Sequence, residues 1–296
     1  MSSNPGPVVQ RALLTDELQT IRRESGKTQE EVAAALDWSP SKLIRIEGAN
    51  VGISVSDLRS LLRYYGLDDS DRIERLVEYA RGAKARGWWT VYRNDLEPGY
   101  LTYLGYETGA TFIRLFEPLL VPGQLQTEDY ARALTIEFIP DESESEIVVD
   151  VRMQRQYEVL DRDPPEQHYI LDEAAVRRRV GSQRDADIMP RQLRHLLELA
   201  ERPEVLLEVI PFARGAHFGL RGGFTVLSFD NGLSDILYLE DARSSDVTIG
   251  ARDSRVADYR DAFENIRRLV LSPEQSLELI GRIAEEMEAA ARPDQT

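Results

Sequence analysis

The stretch TQEEVAAALDWSPSKLIRIEG, Thr28 to Gly48, holds two short helical patterns with a tight turn between them. Thr28 and Glu31 form a capping-box pair, because the hydroxyl can accept from the Glu31 amide while the Glu31 carboxylate reaches back. Val32, Ala33 and Leu36 recur at helical spacing, and the alanines let a second helix come close. This first helix is expected to stop near Asp37. Ser39-Pro40 starts the second, since serine is a favoured N-cap and proline suits the first helical position. Leu43 and Ile46 should face a core, which leaves Pro40, Ser41, Ile44 and Arg45 on the opposite face with Lys42 beside it. An outer face of hydroxyl, methyl and guanidinium groups suits base-pair edges. Arg45 can bond guanine O6 and N7 together, and Ile44 can meet a thymine methyl. Gln29, opening the first helix, suits a phosphate. The pattern is that of a helix-turn-helix offering its second helix to the major groove, although an ordinary surface αα-hairpin would also fit.

The flanking sequence favours the first reading. Leu13 to Ser25 is amphipathic through Leu14, Leu18 and Ile21. Ser54 to Asp57 opens another helix, with Leu58, Leu61, Leu62 and Tyr65 as its stripe and Gly66 as its C-cap. Asp69 to Arg86 continues as one more, through Ile73, Leu76, Val77 and Ala80. With these neighbours, IRRESGKTQEEVAAALDWSPSKLIRIEGA (Ile21 to Ala49) resembles the XRE, or Cro/CI-type, family of helix-turn-helix transcriptional regulators. The resemblance implies that Gln29 contacts phosphate and that the bases fall to Pro40, Ser41, Ile44 and Arg45. It also implies a buried salt bridge between Arg22 and Glu47, which would orient helices more than add net stability. Ser39, Lys42, Arg22, Arg23, Lys27 and Asn50 complete the expected DNA-binding set.

The net charge of −16 at first argues against a polyanionic partner. Its distribution answers this. Up to Gly87 there are 13 basic and 13 acidic residues, and the remaining 23 basic and 39 acidic residues carry the whole −16. The docking face has Arg22, Arg23, Lys27, Lys42 and Arg45, and an acidic second domain would weaken non-specific binding. Without cysteine there are neither disulfides nor thiolate metal sites. No signal peptide or bilayer-spanning stretch is evident, so a cytoplasmic protein with no membrane partner is expected.

Composition shifts at Gly87-Trp88-Trp89, where aromatic, Gly- and Pro-containing sequence replaces helical periodicity up to Tyr106. The expected organisation is a flexible arm over 1–12, an all-α helix-turn-helix domain of four to five helices over 13–87, and a larger mixed α+β domain over 88–296. This last domain should hold a small, largely antiparallel sheet. Strand patterns occur within 113–122 and at 168–171, 205–211, 224–229 and 236–239, and Asp230-Asn231-Gly232 signals a hairpin between the last two. Helical patterns cover 127–134, 143–162, 173–180, 191–201, 259–271 and 272–291. The closing stripe of Leu277, Ile280, Ile283, Ala284 and Met287 either pairs with a second copy or packs on its own domain.

Several segments here also carry a resemblance. WWTVY, GYETGATFIRLFEPLLVPGQLQTEDYARAL, VRMQRQYEVL, LDEAAVRRRVG, GLRGGFTVLSF and LYLED are similar to the C-terminal domain of actinobacterial antitoxin-like regulators. The resemblance implies regulation through this domain by a partner or a ligand, without saying which.

Catalysis is not expected. His168, His195 and His217 are the three histidines, no two at ligand spacing, and no GxSxG, P-loop or Rossmann glycine pattern occurs. No metal or other cofactor is expected. Arg214, His217 and Arg221, in a glycine-rich loop, either receive an anionic group or simply connect two strands. Trp88, Trp89 and Tyr92 either floor a pocket or seal a domain junction. The expected function is a sequence-specific transcriptional regulator that binds double-stranded DNA as a homodimer. Its second domain would answer a small partner protein encoded nearby or a small-molecule effector. The alternative is an antitoxin-like protein that mainly sequesters its partner and autoregulates its operon.

Overall fold

Five helices form the first part of the chain: α1 (Pro7–Glu24), α2 (Gln29–Ala35), α3 (Pro40–Glu47), α4 (Val55–Tyr64) and α5 (Ser70–Gly82). The computed structural model describes residues 5–162, 164–239, 247–250 and 253–291. It divides into two units, one up to Val91 together with Asp230–Leu233, the other from Tyr92 to Phe229 and from Ser234 onward.

The helices of the first unit begin where side chains can satisfy their open amides. The capping box at Thr28 is complete: Thr28 Oγ1 accepts from the Glu31 amide at 3.2 Å, and the Thr28 amide donates to Glu31 Oε2 at 2.8 Å. The side chains of Ser39, Ser54 and Asp69 accept from first-turn amides of α3, α4 and α5. Between α2 and α3 the chain turns through Asp37 at φ 56°, a left-handed value that Asp tolerates better than most residues. The Trp38 amide closes this turn on the Ala33 carbonyl at 2.8 Å. Leu18, Val32, Leu43, Leu58, Leu61 and Leu76 are all fully buried, so each helix contributes to one core.

Part of the arm expected over residues 1–12 is instead helix. From Pro7 on it belongs to α1, with proline in the first turn; residues 1–4 lie outside the described residues. Val9 is fully buried four residues ahead of Leu13, extending the apolar stripe by a turn. Gln10 is also buried and fills the space above Gly82, where a Cβ would stand 1.8 Å from its amide oxygen.

The second unit opens with α6 (Pro98–Glu107) and is built on six strands: β1 (Phe112–Glu117), β2 (Glu166–Asp172), β3 (Val205–Ile210), β4 (Phe224–Ser228), β5 (Ile236–Leu239) and β6 (Val247–Ile249). Their order in the sheet is β3-β2-β1-β4-β5-β6. β1 pairs in parallel with β2, and β2 with β3; the pairings β1–β4, β4–β5 and β5–β6 are antiparallel. The α+β class holds, with a sheet that is mixed. Its parallel half follows from connection length, because parallel neighbours need a long crossover. Helices α7 (Glu128–Phe138) and α8 (Glu142–Gln156) lie between β1 and β2, and α9 (Glu173–Arg177) and α10 (Ile188–Leu199) between β2 and β3. The antiparallel half includes the hairpin signalled by Asp230-Asn231-Gly232, with Gly232 at φ 90°.

Helix α11 (Ser254–Arg267) packs on β4 and β5, and α12 (Pro273–Ala291) on α10 and β3. Of the closing stripe, Ile280, Ile283, Ala284 and Met287 are buried within this single chain, and Leu277 is half-buried. Of the two expectations for this stripe, packing on its own domain is the one seen for most of its residues. Residues leading into α12 also close the edge of β3. The Val209 amide donates to Ser276 Oγ at 3.0 Å, and the Leu271 amide donates to the Val209 carbonyl at 2.9 Å.

Candidate functional site

In the first unit a single carboxylate organises three helices. Arg22, near the end of α1, donates from Nε to Glu47 Oε1 at 2.7 Å and from Nη2 to Glu47 Oε2 at 2.9 Å. Gln29, first residue of α2, donates from Nε2 to the same Oε2 at 2.8 Å. Gln19 in α1 donates to the Glu47 carbonyl at 2.5 Å. Glu47 is only 3% exposed and ends α3. Hydrogen bonding to Glu47 raises the Arg22 pKa against the opposing effect of burial. One Gln29 amide hydrogen is thus spent inside the protein, and only the other is left for a phosphate.

This anchoring aims the outer face of α3 at solvent. Ser39, Pro40, Ser41, Ile44 and Arg45 are all exposed, Ile44 by 51%. Arg45 makes no ion pair or side-chain hydrogen bond among the described residues. Lys42 is differently placed: its Nζ lies 3.0 Å from Asp57 Oδ2 and 3.9 Å from the centre of the Trp38 ring. Ser39 Oγ and Ser41 Oγ are 3.1 Å apart. Arg23 is exposed and donates to Gln19, and Lys27 sits over the Tyr64 ring at 4.8 Å. Asn50, exposed just beyond α3, has its amide where a Cβ on Gly48 would come within 2.9 Å.

The second unit holds a cavity of about 350 Å³ between α6, α8, β1 and the segment Leu120–Gln126. One wall carries a buried charge network. Arg155 of α8 donates from Nε to Glu107 Oε2 and from Nη2 to Glu107 Oε1, each at 2.5 Å. Glu107 also accepts from Tyr103 Oη at 2.6 Å and from Gln124 Nε2 at 2.8 Å. Burial alone would lower the Arg155 pKa, but Glu107 beside it outweighs this and holds it well above the ordinary value. Burial pushes the Tyr103 phenol well up, with Glu107 adding and Arg155 opposing. Tyr103 stacks on Tyr238 with ring centres 3.8 Å apart. On the same side Tyr130 is pushed up to about 12 by burial, while its hydroxyl accepts from the Val121 amide.

The structure does not bring Arg214, His217 and Arg221 together as an anion cradle. Arg214 and Arg221 are exposed, the latter over the Phe218 ring at 5.2 Å. His217 is turned inward, its side chain 2% exposed, with Nε2 3.1 Å from Asp172 Oδ2 and its ring edge-on to Phe116. The reason is steric as well as electrostatic. Gly219 lies so close to Phe116 that a Cβ there would stand 2.2 Å from the ring, which draws the loop down onto β1. Trp88 and Trp89 meet edge to face at 6.0 Å, with Trp89 buried and Trp88 and Tyr92 half-buried. The cavity is lined without them.

Glu107, Gln124, Tyr103 and Arg155 were not singled out from sequence, although all but Tyr103 lie in segments that carried the resemblance. A signal was present. Arg155 falls four residues after Val151, on the apolar stripe of α8. A charge on an apolar stripe is buried only when paired.

The comparisons with known proteins bear on both units. A family described as a domain of unknown function (DUF5753) matches residues 100–282, and a helix-turn-helix domain family matches residues 13–76. No curated protein and no solved structure matches.

Proposed function

This chain belongs to the DUF5753 family, and from that membership, joined to a helix-turn-helix domain, we propose a sequence-specific transcriptional regulator of the XRE type, acting as a homodimer. The observation that carries this reading is the exposed face of α3, with Arg45 unpaired among the described residues, anchored from behind by Glu47. Arg45 and Ser41 read bases, Ile44 meets a thymine methyl, and Pro40 packs against the groove wall. Gln29, Arg23, Lys27 and Asn50 hold the backbone, as does Lys42 once it leaves Asp57. Two copies place two recognition helices in half-sites about one helical turn apart, roughly 34 Å. The second domain is the sensor, and its cavity favours a small-molecule effector as the input.

The test is an anisotropy titration of the full chain against DNA from its own promoter region, beside a scrambled duplex and the variant Arg45→Ala. Arg45→Ala should cost about 1–3 kcal/mol at one base position and relax specificity there. Equal weakening on every sequence would make Arg45 a phosphate contact. No preference for the promoter duplex at low salt would overturn the reading.

A second reading has its own observation. Leu119, Phe212 and Leu220, exposed by 53%, 56% and 61%, border one groove beside Arg221. Such a patch suits capture of a small partner protein, as in an antitoxin-like role with autoregulation. Co-purification of the neighbouring gene product, lost in Leu220→Asp, tests it.

A further inference from the structure

Acceptor groups are prominent in the second unit's cavity, which Asp95, Glu97, Glu117 and Gln124 line. Both guanidinium groups in its wall are engaged: Arg155 with Glu107, Tyr103 and Tyr100, and Arg152 with Thr135 and Gln126. Gln124 is 1% exposed, and its Nε2 is committed to Glu107. The amide cannot flip, because that would set its oxygen against the carboxylate. Its carbonyl Oε1 therefore has no partner among the described residues, and an unmet buried acceptor of this kind is costly. At the mouth, Asp95 and Glu97 line the opening, exposed and without ion pair or side-chain hydrogen bond among the described residues. The wall also holds Glu117, Gln126 and Thr225, beside an apolar and aromatic surface from Leu115, Val148, Tyr100 and Phe224.

The geometry points to a binding site for a small amphipathic amine: the ammonium at the Asp95–Glu97 mouth, an N–H within reach of Gln124 after a small side-chain shift, and an apolar body against the aromatic wall. An anion is disfavoured, because Arg155 is paired with Glu107 and the carboxylates of Asp95 and Glu97 would repel it. The volume of about 350 Å³ is that of a small molecule rather than of a peptide. Aromatic faces add attraction for a cation. This deepens the sensing role proposed above, and rests on it only for what occupancy does to DNA binding.

The experiment uses the purified full chain with tryptamine and, as the opposite charge on a near-identical skeleton, indole-3-propionate. Calorimetric titration and melting temperature read binding, and anisotropy on promoter DNA reads its effect. Tryptamine should bind and raise the melting temperature, with indole-3-propionate at least roughly tenfold weaker. The exposed double variant D95N/E97Q, which leaves the core untouched, should weaken tryptamine roughly tenfold while its unliganded melting temperature stays put. Equal or better binding of the carboxylate, no tryptamine binding at millimolar concentration, or tryptamine binding indifferent to D95N/E97Q would each overturn the amine site. The sensing role fails separately: tryptamine binding that leaves DNA affinity unchanged keeps the site and removes the sensor. A carboxylate that binds and shifts DNA affinity does the reverse.

Discussion

Glu47 shows how one side chain can hold a recognition surface that it does not belong to. Its two oxygens accept three donors, from Arg22 and Gln29, at the buried end of α3. In Glu47→Gln, whichever position the amide nitrogen takes faces at least one donor and loses the charge that Arg22 requires. Stability should fall by about 1–3 kcal/mol, less than for a fully buried pair because Arg22 is partly exposed. DNA affinity should fall with it, since α3 loses its anchor. Urea denaturation and the anisotropy titration measure the two effects; unchanged values in both would leave the pair without a role. The partners Arg22 and Glu47 were legible from the Ile21–Ala49 pattern, but the third member, Gln29, was not. A glutamine at a helix start is as consistent with a phosphate as with a carboxylate behind it. Only the approach of α2 to the end of α3 decides where its amide goes.

Elements were read best where period and caps agreed. Helices α2 to α5 lie where capping residues and apolar stripes placed them, and the β4–β5 hairpin follows its Asp-Asn-Gly turn. Helix α6 was hidden because Tyr and Leu occur all round it and Gly99 and Gly105 weaken helix propensity, leaving no one-sided stripe to see. Strand β6 has three residues, too short for an alternating pattern. The start of α1 was missed for a different reason. Gly6-Pro7 reads as a loop, yet proline fits the first turn of a helix and Val9 then joins the core. Deleting residues 1–4 should therefore leave the melting temperature of the full chain unchanged. Deleting 1–12 should lower it by several degrees, since a buried valine and a helical turn are lost. Equal melting of the two truncations would show that the added turn contributes nothing.

For the molecule as a whole, charge is divided between its parts: none net up to Gly87 and −16 beyond. Of the five basic residues expected at the DNA face, Arg22 is committed to Glu47 and Lys42 is paired with Asp57. That leaves Arg23, Lys27 and Arg45 to displace counterions. The slope of log affinity against log salt should then be about −3 per protomer and about −5 for a bound homodimer. Anisotropy titrations from low to physiological salt measure it. A slope near −3 would mean one protomer on the DNA. A slope near −10 would mean that Lys42 and other cations join after leaving their carboxylates. The Arg22–Glu47 pair was expected from the resemblance, but the partners of Lys42 and Arg155 were not, because they depend on residues far apart in sequence.

The way Leu271 and Ser276 occupy both polar groups of Val209 bears on how this protein stays out of trouble while it is being made. A strand at the margin of a sheet is a template for any passing strand, its own kind included. Here the protecting residues arrive about sixty positions after the strand that they shield. During synthesis the sheet can therefore form its parallel half with that margin still open. The interval before α12 emerges is the time of greatest hazard for self-association, and a chain interrupted within it would be released sticky rather than merely incomplete.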